Sequence, residues 1–200
     1  MLDKDGQFVN ASRGWPVVSS NFSDRDYFIH TRDQPDSKLY VSSVLQNRVS
    51  GQPNIFFAKR INGPDGDFLG LVLAAVNPSY FQHIYQSIIA SRQQAFALLR
   101  DDGLALVRYP DVDGITGRRL PATSQWYRVV RDGGGHFEST GGFDGIPRLM
   151  SVRPLKHLPL VVNVGVPKSA ALVSWKYRAT AIALGTALAL ICALLLIYAL

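Results

Sequence analysis

The sequence predicts an α+β protein made of two tandem units, each built on an antiparallel sheet, with one transmembrane helix after them. Three observations predict it. Asp-Gly pairs sit between short apolar runs at Asp5-Gly6, Asp65-Gly66, Asp102-Gly103 and Asp144-Gly145, the pattern of β-hairpins. Residues 2–9 resemble residues 99–107, so each half opens with one such hairpin and later contains another. Finally, residues 179–200 form a stretch of 22 residues without a charge. The units fall at residues 1–92 and 93–170, and residues 171–200 hold a juxtamembrane segment and the membrane helix.

In chain order, the first hairpin turns at Asp5-Gly6. A short helix is expected from Ser23, with Asp24 and Asp26 in its first turn, where carboxylates complement the helix dipole. Strands carrying Tyr40 and Lys59 follow, and Ile55-Phe56-Phe57 and residues 69–73 flank the Asp65-Gly66 turn. Residues 71–76 are apolar at every position, as expected of a central strand covered on both faces. Asn77 then reads as an N-cap and Pro78 as the first helical residue, with Phe81, Ile84, Tyr85 and Ile88 on one face. In the second half, residues 135–138 and 148–152 flank Asp144-Gly145. Leu158, Leu160, Val162, Val164 and Val166 alternate with their neighbours to give one apolar face. A helix over residues 179–200 would be about 33 Å long, enough for a hydrocarbon core of about 30 Å.

Composition narrows the function. An apolar fraction of 47% with 10% aromatics builds a core. The one cysteine, Cys192, lies in the membrane stretch and permits neither an intrachain disulfide nor a cysteine metal site. The net charge of +6 does not indicate nucleic-acid binding, because Arg25, Arg60, Arg108 and Arg148 stand singly among acids. The densest basic group, Lys168, Lys176 and Arg178, flanks the membrane segment, where lipid headgroups are the natural partner. No catalytic constellation is present: His30, His83, His136 and His157 are isolated, and there is no phosphate loop or nucleophile elbow. Asp3-Lys4-Asp5-Gly6 and Asp111-Val112-Asp113-Gly114 lack the glutamate that closes a calcium loop and read as turns. Gly141-Gly142-Phe143-Asp144-Gly145 lacks the paired acids of a cyclase metal site and reads as a glycine turn. No enzymatic activity and no cofactor are expected.

One segment has binding chemistry. Arg25, on a short helix beside Tyr27 and Phe28, can place a guanidinium at an apolar pocket, where its fork holds a carboxylate through two parallel hydrogen bonds. Tyr27 supplies a wall and a hydroxyl, and Tyr40 and Lys59 lie on strands expected to border the same cavity. The competing role for Arg25 is an ion pair with Asp24, Asp26 or Asp33.

The N-terminus carries no signal peptide, and the apolar helix runs flush to Leu200, so the chain reads as a piece cut at both ends. Positive charge before the helix favours a cytoplasmic domain. That is the alternative: a tail-anchored cytoplasmic adaptor acting through protein contacts.

Taken in order, Asp3-Lys4-Asp5-Gly6, Ser23-Asp24-Arg25-Asp26-Tyr27-Phe28, Phe56-Phe57-Ala58-Lys59-Arg60-Ile61, the run from Asp65 to Leu73, Trp126-Tyr127 and Leu158-Pro159-Leu160-Val161-Val162 resemble the double Cache sensor domains of bacterial receptors. The resemblance implies two PAS-like modules outside the cytoplasmic membrane, on the periplasmic side, in a homodimeric receptor. It implies a small organic acid or amino acid bound in the membrane-distal module, and a signal sent to a histidine kinase, a cyclic-di-GMP enzyme or a chemotaxis region. It places the helix at 179–200 as the second, inward-going membrane helix, and the first one with its long packing helix is missing. Each sheet should then leave an apolar face open where that helix would lie. Amino-acid-binding members carry Arg-x-Trp-Tyr on the short helix. The aligned residues here are Arg25-Asp26-Tyr27-Phe28, and the end of the last distal strand, Leu73 to Asn77, has no acid for an α-amino group. A carboxylate ligand is implied rather than an α-amino acid.

Overall fold

A computed structural model describes residues 1–12, 16–35, 39–88, 94–110, 114–171 and 173–199. The expected boundary at residues 92 and 93 lies outside the described residues, as do Asp111, Val112, Asp113 and Leu200.

The first sheet has the strand order β1-β4-β3-β2, from β1 (Leu2–Asp3), β2 (Tyr40–Gln46), β3 (Pro53–Asn62) and β4 (Phe68–Val76). The second contains β5 (Ala95–Arg100), β6 (Ala105–Tyr109), β7 (Gly135–Ser139), β8 (Arg148–Pro154) and β9 (Leu160–Pro167), in the order β6-β5-β9-β8-β7. Every strand pair is antiparallel. The turns at Asp65-Gly66, Asp102-Gly103 and Asp144-Gly145 join hairpins as expected. Gly66 and Gly103 take φ of +82° and +80°, which an L side chain rarely adopts. At Gly103 a Cβ would also run into the Tyr127 hydroxyl.

Helix α1 (Asp26–Asp33) lies across one face of the first sheet. There Tyr27 and Phe28 join Leu2, Phe22, Phe56, Ala58 and Leu71 in a buried cluster. The helix begins at Asp26, not near Ser23. The Asn21 side chain accepts from both the backbone N–H and the hydroxyl of Ser23, at 2.9 and 2.6 Å. That Asx turn occupies the would-be cap, and Arg25 remains extended as the N-cap residue. Helix α2 (Pro78–Ile88) starts as expected: the Asn77 carboxamide accepts from Ser79 N–H at 2.9 Å. Of its apolar face only Phe81 and Tyr85 pack inward, whereas Ile84 and Ile88 are exposed. Helix α3 (Trp126–Arg131), not anticipated from periodicity, covers one face of the second sheet.

The two units share a core. Val41 and Ile55 of the first sheet pack with Leu98, Leu104, Leu106 and Val107 of the second, and Tyr85 stacks on Phe96 with centroids 5.1 Å apart. Arg100 fastens the junction. One of its Nη groups donates to Val41 O at 2.8 Å, its guanidinium lies 5.9 Å from the Tyr40 ring centroid, and it pairs with Asp102 at 2.7 Å.

Two expectations about sheet faces change. Strand β4 is central but covered on one side only: Leu71 is buried, while Val72 is 51% exposed. Strand β9 is covered on both faces, and the face not expected to pack is the more buried: Val161 and Asn163 are buried as well as Leu160. Each sheet leaves apolar residues open on the face away from its covering helix, Val72 on the first and Leu149 on the second. Strand β9 leads directly into α4 (Lys168–Ala171) and then α5 (Val173–Ala199). Residues Trp175–Tyr198 of α5 are long and apolar enough to cross a membrane, so the helix starts earlier than residue 179.

Candidate ligand-binding site

Arg25 stands where the chain turns into α1. One of its Nη groups donates to Gln46 O at 3.0 Å. Its Nε is buried and has no hydrogen-bond partner among the described residues. None of Asp24, Asp26 and Asp33 pairs with it. Asp24 is held by the Arg48 fork, one bond at 2.8 Å, and Asp33 by Arg32 at 2.7 Å. Asp26 accepts from the Tyr27 backbone N–H at 2.7 Å and from the Tyr40 hydroxyl at 3.1 Å.

Tyr27 is 1% exposed and lies 5.0 Å from the Phe56 ring. Burial pushes its hydroxyl up to about 12, so it stays a neutral donor. The Tyr40 ring lies 4.3 Å from His30, and its hydroxyl is also raised, first by burial and then by the charge of Asp26. The Arg60 guanidinium donates to Thr31 O at 3.0 Å, closing the C-terminal end of α1. Tyr27 and Tyr40 therefore meet α1 on one face of the sheet, whereas Arg25 reaches the Gln46 end of β2, opposite the end that carries Tyr40.

Lys59 does not join them. Tyr40 pairs with Ala58 across the ladder and Lys59 with Val72. Side chains alternate along a strand, so Lys59 is exposed on the opposite face.

The second module holds a charged cluster where the glycine pattern indicates only a turn. Asp144 receives the Arg148 fork at 2.6 and 2.8 Å, an Arg108 Nη at 2.6 Å and the Ile146 N–H at 3.2 Å. Exposure of the three side chains is 12%, 11% and 7% for Asp144, Arg148 and Arg108. Burial alone would raise the Asp144 carboxyl, but the Arg148 and Ile146 hydrogen bonds and the two guanidinium charges outweigh it and hold it at about 2. A depressed carboxyl stabilises the fold above its unfolded pKa of about 4 and loses that contribution as pH falls towards its folded value. Asp144→Asn should therefore lower stability by about 2 kcal/mol at pH 6. The gap from wild type should close between about pH 4 and pH 2, as urea unfolding of both proteins across that range would record. A gap that persists at pH 2 would separate the effect from the carboxylate charge.

Beside the cluster is a cavity of about 60 Å³, lined by Trp126, Phe137, Phe143, Met150, Ala97 and others. The Trp126 indole N–H donates to the Asn163 side chain at 2.6 Å, and the Asn163 amide donates to Ala97 O and Val161 O. Among the described residues no group of His, Cys, Asp and Glu is arranged to hold a metal ion.

A family model described as dCache_1_like, a histidine kinase sensor domain, matches residues 78–165. The extracellular domain rpHK1S-Z16, assigned to a histidine kinase, is 30% identical with a TM-score of 0.71, over 87% of this chain and 71% of that one. The periplasmic sensory domain of the Campylobacter jejuni chemoreceptor Tlp1 has the same fold at 14% identity and a TM-score of 0.61, over 78% of this chain and 61% of that one. The ligand-binding domain of the Pseudomonas fluorescens chemoreceptor CtaA, in complex with L-isoleucine, matches at 18% identity and a TM-score of 0.57, over 86% and 68%. No curated protein sequence matches the chain.

Proposed function

This chain belongs to the double Cache family of extracellular sensor domains of membrane receptors, and from that premise we propose that it recognises a small carboxylate in its first module. It faces the periplasm of a bacterial inner membrane and transmits occupancy through α5, as a homodimer, to a cytoplasmic histidine kinase. Lipid headgroups neutralise the basic residues Lys176 and Arg178, whereas Lys168 is held by Glu138 at 2.8 Å.

The observation that carries the reading is the buried, unpartnered Nε of Arg25 beside Tyr27. A buried N–H donor without an acceptor is costly, and a ligand carboxylate supplies the acceptor together with the counter-charge. The CtaA domain is described with L-isoleucine, L-serine and L-alanine, and these share a carboxylate. Asp26 is committed to Tyr27 and Tyr40, which leaves an α-amino group without a dedicated acid and favours simple organic acids.

Calorimetry of the full chain in detergent, against mono- and dicarboxylates and the three amino acids above, tests the reading. A charge-assisted pair contributes about 1.5–3 kcal/mol, so Arg25→Ala should weaken binding roughly 10- to 150-fold at about 1.4 kcal/mol per tenfold. Arg25→Lys should recover only part, because an ammonium cannot form the fork. Lys59→Ala, on the other face, should leave affinity unchanged. Equal binding by wild type and Arg25→Ala would make Arg25 a structural brace for Gln46 and overturn the proposal.

A further inference from the structure

The charged cluster of the second module lies far along the chain from Arg25 and has no part in the site above. Three side chains, each nearly nine-tenths buried or more, form the polar wall of a cavity whose remaining lining is mainly aromatic and aliphatic. Inside it, a carboxylate is gripped as a ligand's would be, with both Nη groups of Arg148 in parallel and a further donor from Arg108. The Nε of Arg148 is buried without a hydrogen-bond partner among the described residues.

The resident carboxylate is carried on a loop able to release it. Asp144 sits between Gly141-Gly142 and Gly145, and Gly141 and Gly145 hold φ of +94° and +71°. The loop's own hydrogen bonds are few: Gly145 N–H to Gly141 O at 2.9 Å, Gly141 N–H to the Ser139 hydroxyl at 3.2 Å, and Ile146 N–H to Asp144. Its ties to the sheet are the Asp144 carboxylate and the Phe143 ring, which packs against the Trp126 cluster.

We propose that this cavity is a second ligand site, for a small monocarboxylate with an apolar tail, whose carboxylate displaces the Asp144 side chain from Arg148 while Phe143 of the same loop stays as part of the cavity wall. The size follows from the volume. At roughly 10–15 Å³ for each water-sized sphere, the 60 Å³ cavity takes about four to six non-hydrogen atoms, as in acetate, propionate or butyrate. The tail meets Trp126, Phe137 and Met150, and the head meets the guanidiniums. Asp144 acts as a tethered competitor: it keeps the arginines paired when the site is empty and holds wild-type affinity in the range of about millimolar, the effective concentration of a short tether.

The test uses the full chain in detergent, titrated with propionate, with propionamide as the neutral control. Binding is followed by the NMR signal of the Trp126 indole N–H, which reports on this cavity and not on α1. Wild type should shift the signal with propionate and not with propionamide. Asp144→Ala should bind propionate about tenfold more tightly or better, since the competitor is gone, and Asp144→Asn serves if the alanine variant does not fold. Ala97→Leu should fill the cavity and abolish the shift, and Arg25→Ala should leave it intact. No shift in wild type, unaltered affinity on removing Asp144, or undiminished binding in Ala97→Leu would each overturn the proposal.

Discussion

Replacing Trp126 with alanine is expected to cost the protein about 4–8 kcal/mol of stability. The indole is 2% exposed and packs with Leu99, Val152 and Val161 beneath α3. Truncating a buried tryptophan costs about 3–5 kcal/mol through lost burial and the void it leaves. Here a second penalty is added. The Asn163 side chain, itself 2% exposed, loses the donor that its carbonyl oxygen accepts at 2.6 Å, and an orphaned buried acceptor costs about 1–3 kcal/mol. Trp126→Phe separates the two: it keeps most of the volume, strands Asn163 and should cost less than half as much. Urea unfolding of the three proteins in detergent checks this, and a Trp126→Ala loss below 1 kcal/mol would show that α3 does not pin the second sheet.

Leu106→Ala is expected to cost about 2–5 kcal/mol and to weaken both modules together. Leu106 is fully buried in the core where Val41 and Ile55 of one sheet meet Leu98, Leu104 and Val107 of the other. A void there removes support from both sides of the junction. Followed through Tyr27 in the first module and Trp126 in the second, the urea midpoints should fall in step. A second-module midpoint that falls while the Tyr27 signal holds would show that the shared core does not couple them.

Much of the fold was legible because its signals are local. An Asp-Gly pair dictates its turn through the φ that only glycine takes easily, and Asn77-Pro78 caps its own helix. The uncharged run that became most of α5 needs no neighbour to be recognised. What the sequence left open depends on partners distant in the chain. Alternation along β9 points to the Leu160–Val166 face, and only the packing of α3 buries Val161 and Asn163 on the other. Lys59 was grouped with Tyr40 although strand alternation places it with Phe57 and Ile61, and only the register with β2 reveals the parity. Ser23 looked like a cap until Asn21 claimed it. Asp144 read correctly as part of a glycine turn, but Arg108 lies 36 residues upstream, and no spacing rule joins them. A glycine turn carrying one acid, with an arginine four residues on, was the available hint.

The Arg100 fastening has a mechanical consequence. Its guanidinium rests on Val41 O and the Tyr40 ring, while its backbone is paired with Leu160 at the start of β9. A strand is stiff along its length, and β9 runs from that pairing to Pro167, directly ahead of α4 and α5. Arg100 thus joins α1, through Tyr40 and its bond to Asp26, to the start of β9. Thermodynamic reciprocity makes any coupling along that line work in both directions. If binding at α1 changes the affinity of a partner that contacts β9 or α5, that partner changes affinity at α1 by the same factor.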